Sequence, residues 1–254
     1  MLKIEEKLWE VRIPQLTLEM FSLILIPLLM IWIILRRGGK QLIGKLITFE
    51  GGEGCGKTTH IKLLKEYLEG KNIPCYVVRE PGGVSISEEI RSIILNPKNT
   101  SMDSLTELLL FIAARRQVVS EITKPKLQEG IWVLCDRFID STTVYQGICR
   151  GIGIPLTEKL NKLAIGDVFP NLTIFLDLDA ETSMSRVRDR VEDMSRLDLE
   201  TIEFYKKVRM GYRELLKHNP KRIFKVVSDR DIEKVFEDIK AIVKNKLLKG
   251  AKYK

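Results

Sequence analysis

Short runs of β-branched and apolar residues recur along the chain at about 45–50, 74–79, 131–136, 172–177 and 222–227. Each run predicts a strand, and the longer stretches between them, where apolar residues return every three or four positions, predict helices. Those helices fall at roughly 58–69, 85–95, 103–120, 157–165, 181–190, 198–217 and 231–247. Gly70, Pro74, Gly130, Pro170 and Pro220 punctuate the joins. Strand and helix in alternation build βαβ units, so the expected fold is α/β, a five-stranded parallel sheet flanked by helices on both faces. In such a sheet the ligand-binding loops gather at the carboxyl ends of the strands.

A different pattern precedes the first strand. Met20 to Leu35 is an uncharged run bounded by Glu19 and by Arg36-Arg37, and as a helix it would be about 24 Å long against a hydrocarbon core of about 30 Å. Extending it back to Leu16 reaches spanning length but carries a carboxylate toward the interface, and Pro27 interrupts the middle. Mixed charges ahead of the run and the lack of a small-residue cleavage site argue against a cleaved signal peptide. Three readings stand: a membrane anchor over about 16–35 with the rest of the chain facing the cytoplasm, an amphipathic or core helix, or upstream sequence that the working protein does not need. The expected division is therefore an N-terminal extension, 1–41, and one folded domain, 42–254.

Composition narrows the partners. Lys and Arg number 42 against 34 Asp and Glu, a net charge of +8, yet both signs are interspersed and no compact basic stripe stands out, so no nucleic-acid partner is expected. Four cysteines (Cys55, Cys75, Cys135, Cys149) show no CxxC spacing, which fits a reducing, cytoplasmic setting.

Candidate chemistry starts directly after the first strand, where residues 51–58 read GGEGCGKT, the GxxxxGK[ST] pattern of a phosphate loop. The expected fold is accordingly of the P-loop NTPase type, with ATP on Gly51, Gly52, Glu53, Gly54, Cys55, Gly56, Lys57, Thr58 and Thr59. Gly51, Gly54 and Gly56 permit backbone conformations that turn several N–H groups inward at phosphates. Lys57 is expected to reach the β/γ-phosphates and Thr58 to hold Mg²⁺, while Thr59 packs or caps. The third strand ends in Asp136-Arg137, and an Asp there suits a position beside Mg²⁺. The second strand ends in Arg79-Glu80-Pro81-Gly82-Gly83, charges and turn formers at the binding edge. Phe111 and Arg115 stand four residues apart, hence on one helix face.

Taken together, FEGGEGCGKTT, REPGG, LLLFIAARRQ, DRFIDSTTVYQG and SRLDLETIEFYKKVRMGY resemble, in order and spacing, the thymidylate kinase family, from about Lys45 to Leu247. The resemblance implies a mobile helical lid, transfer of a phosphoryl group from ATP to dTMP, and a homodimer through helices near 103–120. It implies that Phe111 stacks on thymine, that Arg115 contacts the acceptor nucleotide, and that Arg137, with Asp136 beside it, holds the acceptor phosphate. Tyr145 and Gln146 resemble residues around sugar and base, Glu53 resembles a loop carboxylate near the sugar hydroxyl or metal, and Arg79, Glu80 and Pro81 fall at the acceptor edge. Two departures stand out: Val84 follows REPGG where the family often has Thr, and the phosphate loop has no Arg at its variable positions. The second resembles the branch that supplies catalytic arginines from the lid, here about 186–196, with Arg186, Arg188, Arg190 and Arg196 available and Arg190 and Arg196 expected to act. Two rival readings are a deoxynucleoside kinase using Glu80 or Asp136 as base and a membrane-tethered nucleotide-binding regulator. The chain has no NKxD guanine-reading motif to support the latter.

Overall fold

The computed structural model describes residues 43–189 and 194–249. The expected extension 1–41, with its apolar run at 16–35, and the lid residue Arg190 lie outside the described residues. Among the described residues no helix is long and apolar enough to cross a membrane.

Among the described residues five strands and nine α-helices follow one another: β1 (Leu46–Glu50), α1 (Lys57–Glu69), β2 (Cys75–Arg79), α2 (Ser85–Leu95), α3 (Ser104–Val118), α4 (Lys124–Gln128), β3 (Trp132–Asp136), α5 (Ile139–Thr142), α6 (Ile154–Ile165), β4 (Leu172–Asp177), α7 (Ala180–Arg188), α8 (Ile202–His218), β5 (Ile223–Val227) and α9 (Ile232–Val243). The strands form one sheet in the order β2-β3-β1-β4-β5, parallel at every pairing. β1 lies at the centre, so the loop that follows it opens at the middle of the sheet's carboxyl edge.

Alternation along the strands assigns the two faces. Ile47, Phe49, Leu134, Ile174 and Leu176 pack with Ile61, Leu64 and Leu68 of α1 and Val235 and Ile239 of α9. That face is apolar except at its carboxyl end, where Arg79 and Asp136 stand in register with Phe49. On the other face Leu46, Val133 and Cys135 meet Val118, Val119 and Ile165, while Phe175 meets Val208, Tyr212 and Leu215 of α8. Polar positions run through this second face: the Thr48 and Thr173 hydroxyls lie 2.7 Å apart, and Glu50 is fully buried. A buried carboxylate without partners would cost several kcal/mol, so its place under the carboxyl edge calls for donors, described below.

The described elements depart from the periodic pattern in three places. The helix expected to end near 120 runs on through a π-helical turn at Val119–Thr123 into α4. The Lys124 amide there donates to the Val119 carbonyl, five residues back, which widens the turn just before Pro125, whose ring has no N–H and would crowd a normal one. A helical stretch covering α5 and the π-helical Thr143–Cys149 was hidden because Asp140-Ser141-Thr142-Thr143 reads as turn formers with no apolar repeat. The helix expected from 198 starts only at Ile202, because Thr201 caps it, accepting from the Phe204 amide at 3.3 Å.

Candidate active site

The phosphate loop takes the conformation its glycines permit. Gly51, Gly54 and Gly56 have φ of 143°, 69° and 90°, and a Cβ on Gly51 would stand 2.5 Å from the Leu176 carbonyl oxygen. α1 begins at once with Lys57, so its unpaired first-turn amides face the loop. His60 steadies the entry, its Nδ1 lying 2.8 Å from the Gly56 carbonyl. Lys57 Nζ folds over the loop to donate to the Gly52 carbonyl at 2.9 Å. Thr58 Oγ1 donates to Asp136 Oδ2 at 3.1 Å, which joins the ends of two adjacent strands' loops in a pair of hard oxygen donors. Thr59 is exposed on the cleft rather than packed.

A cleft of about 610 Å³ runs from this loop across the carboxyl edge. On its far side stand Phe111 and Arg115 of α3, together with Arg79, Glu80, Pro81, Tyr145 and Gln146. Arg115 is only 2% exposed; it donates to Glu80 Oε2 at 2.6 Å, to Thr142 Oγ1 at 2.8 Å and to Asn161 Oδ1 at 2.5 Å. Burial pushes the Glu80 carboxyl above its usual range in spite of that guanidinium.

Arg137 occupies the middle of the cleft with φ of 67°, a left-handed conformation that costs on the order of 1–3 kcal/mol for a residue with a side chain. Its guanidinium reaches Gly51 O at 3.0 Å, Ser141 Oγ at 3.1 Å and Glu53 Oε1 at 2.5 Å, above the Tyr145 ring at 5.1 Å. Behind it, Glu50 accepts from the Phe138 amide at 2.8 Å, the Ser141 hydroxyl at 2.5 Å and the Tyr212 hydroxyl at 2.9 Å. Asp140, three residues after Arg137, is gripped by Arg222 at 2.6 and 2.8 Å. The backbone directly after the strained residue is thus held by the buried Glu50 carboxyl, which accepts from the Phe138 amide.

The thymidylate kinase family model matches residues 49–239. Similar curated proteins include the thymidylate kinase of Clostridium novyi (strain NT), 46% identical over 202 residues that cover 79% of this chain and 98% of that one. Another is the thymidylate kinase of Anoxybacillus flavithermus, 47% identical over 197 residues, covering 77% and 94%. The chain belongs to the thymidylate kinase family. Among solved structures, the thymidylate kinase of Ehrlichia chaffeensis superposes with a TM-score of 0.65 at 36% identity, covering 79% of this chain and 98% of that one.

In this thymidylate kinase family member the cleft gathers most of the described residues expected from sequence, but Gly51, Gly52, Cys55 and Arg196 do not line it. Cys55 is buried beneath the loop, its sulfur 3.7 Å from Lys57 Nζ. Arg196 turns away from the cleft to donate to the Ile94 carbonyl at 3.1 Å and to Glu107. Arg186 instead touches the phosphate loop, donating to the Gly54 carbonyl at 3.2 Å. Sequence reasoning missed Arg91, which lines the cleft and donates to the Pro81 carbonyl at 2.8 Å. Burial and the neighbouring Arg79 push its guanidinium below the usual range, the mark of crowded cations facing an anion site. Its signal in the sequence is weak: Arg91 stands four residues before Leu95 on α2, and only the folded chain shows that both line the cleft.

Burial, reinforced by Asp140, raises the Glu50 carboxyl from 4.5 to about 7. A carboxyl raised on folding is protonated more readily in the folded protein, so its contribution to stability is fully present below 4.5 and is lost as pH rises through about 7. Relative to Glu50→Gln, wild-type unfolding free energy is expected to fall by about 3 kcal/mol between pH 4.5 and 8. Urea denaturation of both proteins across that range checks this, and a difference independent of pH would contradict it.

Proposed function

We propose that this chain transfers the γ-phosphate of ATP to dTMP, giving ADP and dTDP. The observation that carries the reading is one cleft with two unlike walls: a phosphate loop with Lys57 on one side, and guanidinium groups with the Phe111 ring on the other. The acceptor phosphate, with a second pKa near 6, is mostly dianionic at neutral pH, so it needs no general base. The obstacle is repulsion between two polyanions, which positioning and fixed cations relieve. Lys57 and the loop amides suit the donor's β- and γ-phosphates. Arg137, flanked by Arg79 and Arg91, suits the acceptor phosphate, and Phe111 offers a ring face to the base. Thr58 and Asp136 would hold Mg²⁺, whose preference for a few protein oxygens plus phosphate oxygens fits this small hard donor set. Bound there, the ion would neutralise charge on the donor phosphates. A lid cation from 186–196 completes the set; Arg186 already reaches the loop.

A sugar hydroxyl as acceptor would require a carboxylate base. Glu80 is engaged by Arg115 and Asp136 by Thr58, which favours the monophosphate. Consumption of ATP also fits a domain facing the cytoplasm. In a coupled ADP-release assay dTMP is the expected acceptor, with dUMP weaker by roughly ten- to two-hundred-fold for the missing methyl, and thymidine inert. Arg137→Ala should lower kcat/KM for dTMP by about 10³ or more; rates near wild type would contradict the assignment.

The reading extends to a homodimer. Ile86 and Ile93 on α2, Leu105 and Leu109 on α3, and Leu156 and Leu163 on α6 are all 42–75% exposed, and exposed apolar side chains on helices that pack on one another suit an interface. Sedimentation should give twice the chain mass, and Leu109→Lys should yield monomers. A monomeric wild type at micromolar concentration would overturn this extension.

A further inference from the structure

Glu107 belongs to the same face of α3 as Phe111 and Arg115, at successive four-residue steps. It does not line the cleft, yet it is 1% exposed and gathers three partners from different parts of the chain. Its Oε1 accepts from Gln146 Nε2 at 2.7 Å and from Arg150 Nε at 3.3 Å. Its Oε2 faces Arg150 Nη2 at 3.4 Å and accepts from Arg196. Burial alone would raise this carboxyl, but hydrogen bonds from Gln146 and Arg196 and the charge of Arg150 hold it below the usual carboxylate range.

An ionised carboxylate accepts hydrogen bonds and cannot donate them. The Gln146 carboxamide can therefore meet Glu107 in one orientation only, with its NH₂ inward. Gln146 itself lines the cleft, so the atom it presents there is the amide oxygen, an acceptor. Arg115, on the same wall, can only donate. A donor beside an acceptor complements a pyrimidine with a carbonyl at C4 and a proton on N3. It opposes one with an amino group at C4 and a bare N3.

We propose that Glu107 is a specificity-determining positioning residue, which fixes the polarity of the Gln146 amide and so selects thymine or uracil bases over cytosine. The inference rests on the monophosphate-kinase reading above. It concerns a residue that does not line the cleft and reaches the base through Gln146.

In Glu107→Gln the partner becomes an amide that can donate as well as accept, so Gln146 can turn over. The ratio of kcat/KM for dCMP to that for dTMP should rise at least about tenfold, with KM for dTMP rising more than kcat falls. Gln146→Met removes the acceptor in place. It tests the same idea if Glu107→Gln folds poorly, and it should also raise the dCMP to dTMP ratio about tenfold. Adding Glu107→Gln to Gln146→Met should change the ratio no further. A ratio unchanged within twofold in either single variant, or full additivity in the double variant, overturns the role of Glu107. Wild-type turnover measured alongside separates the two levels. Turnover of dTMP with an unchanged ratio in the variants removes this role alone, whereas no wild-type turnover removes the kinase reading and this inference with it.

Discussion

Like-charge repulsion is the constraint around which the carboxyl edge of this sheet is built. Two phosphate-bearing molecules approach each other only where cations are fixed in advance, and cations crowd together inside a protein only where carboxylates hold them apart. Arg137 is held by Glu53 and by the hydroxyls that Glu50 organises, Arg115 by Glu80, and Arg222 by Asp140. Buried ion pairs of this kind add little net stability over apolar residues of the same shape. Their effect here is geometric: each guanidinium has one place to be, and the left-handed backbone at Arg137 stays where relaxation would otherwise release it.

The division of the sheet into an apolar face and a partly polar face follows from the same constraint. α1 and α9 cover a face of Ile, Leu and Phe that supplies the burial energy. The opposite face carries Thr48, Glu50 and Thr173 in the strands themselves. An apolar side chain in place of Glu50 would remove the acceptor that the Phe138 amide and the Ser141 and Tyr212 hydroxyls share. Family membership and the 0.65 TM-score to a solved thymidylate kinase fit a scaffold in which function dictates the composition of one half of the core.

Much of this was legible in the chain. Strands rich in β-branched residues fell within a residue of their expected positions, since a parallel strand buried on both faces has no reason to contain polar residues except near a site. The phosphate loop was readable because a glycine-rich turn leaves a local signature. Arg91 and Glu107 were not read, for a physical reason: a charged residue on a helix ordinarily faces water, and only the packing of α2 and α3 against the cleft wall turns these two inward. The helical stretch after Arg137 was hidden by Ser, Thr and Val, whose weak helix propensity is overridden by contact with α8.

Arg196 and Glu107 tie two distant parts of the chain together. The stretch after residue 193 is anchored to the acceptor wall, since the Arg196 amide donates to the Leu95 carbonyl at 3.0 Å and its side chain to Ile94. The central claim, that donor and acceptor share one cleft end to end, is tested most directly by calorimetry with a compound joining adenosine and thymidine through five phosphates in the presence of Mg²⁺. The account predicts one molecule bound per chain, at least about a hundredfold tighter than either nucleotide alone, with both a non-hydrolysable ATP analogue and dTMP excluded. Binding no tighter than the ATP analogue, with dTMP still able to bind beside it, would contradict it.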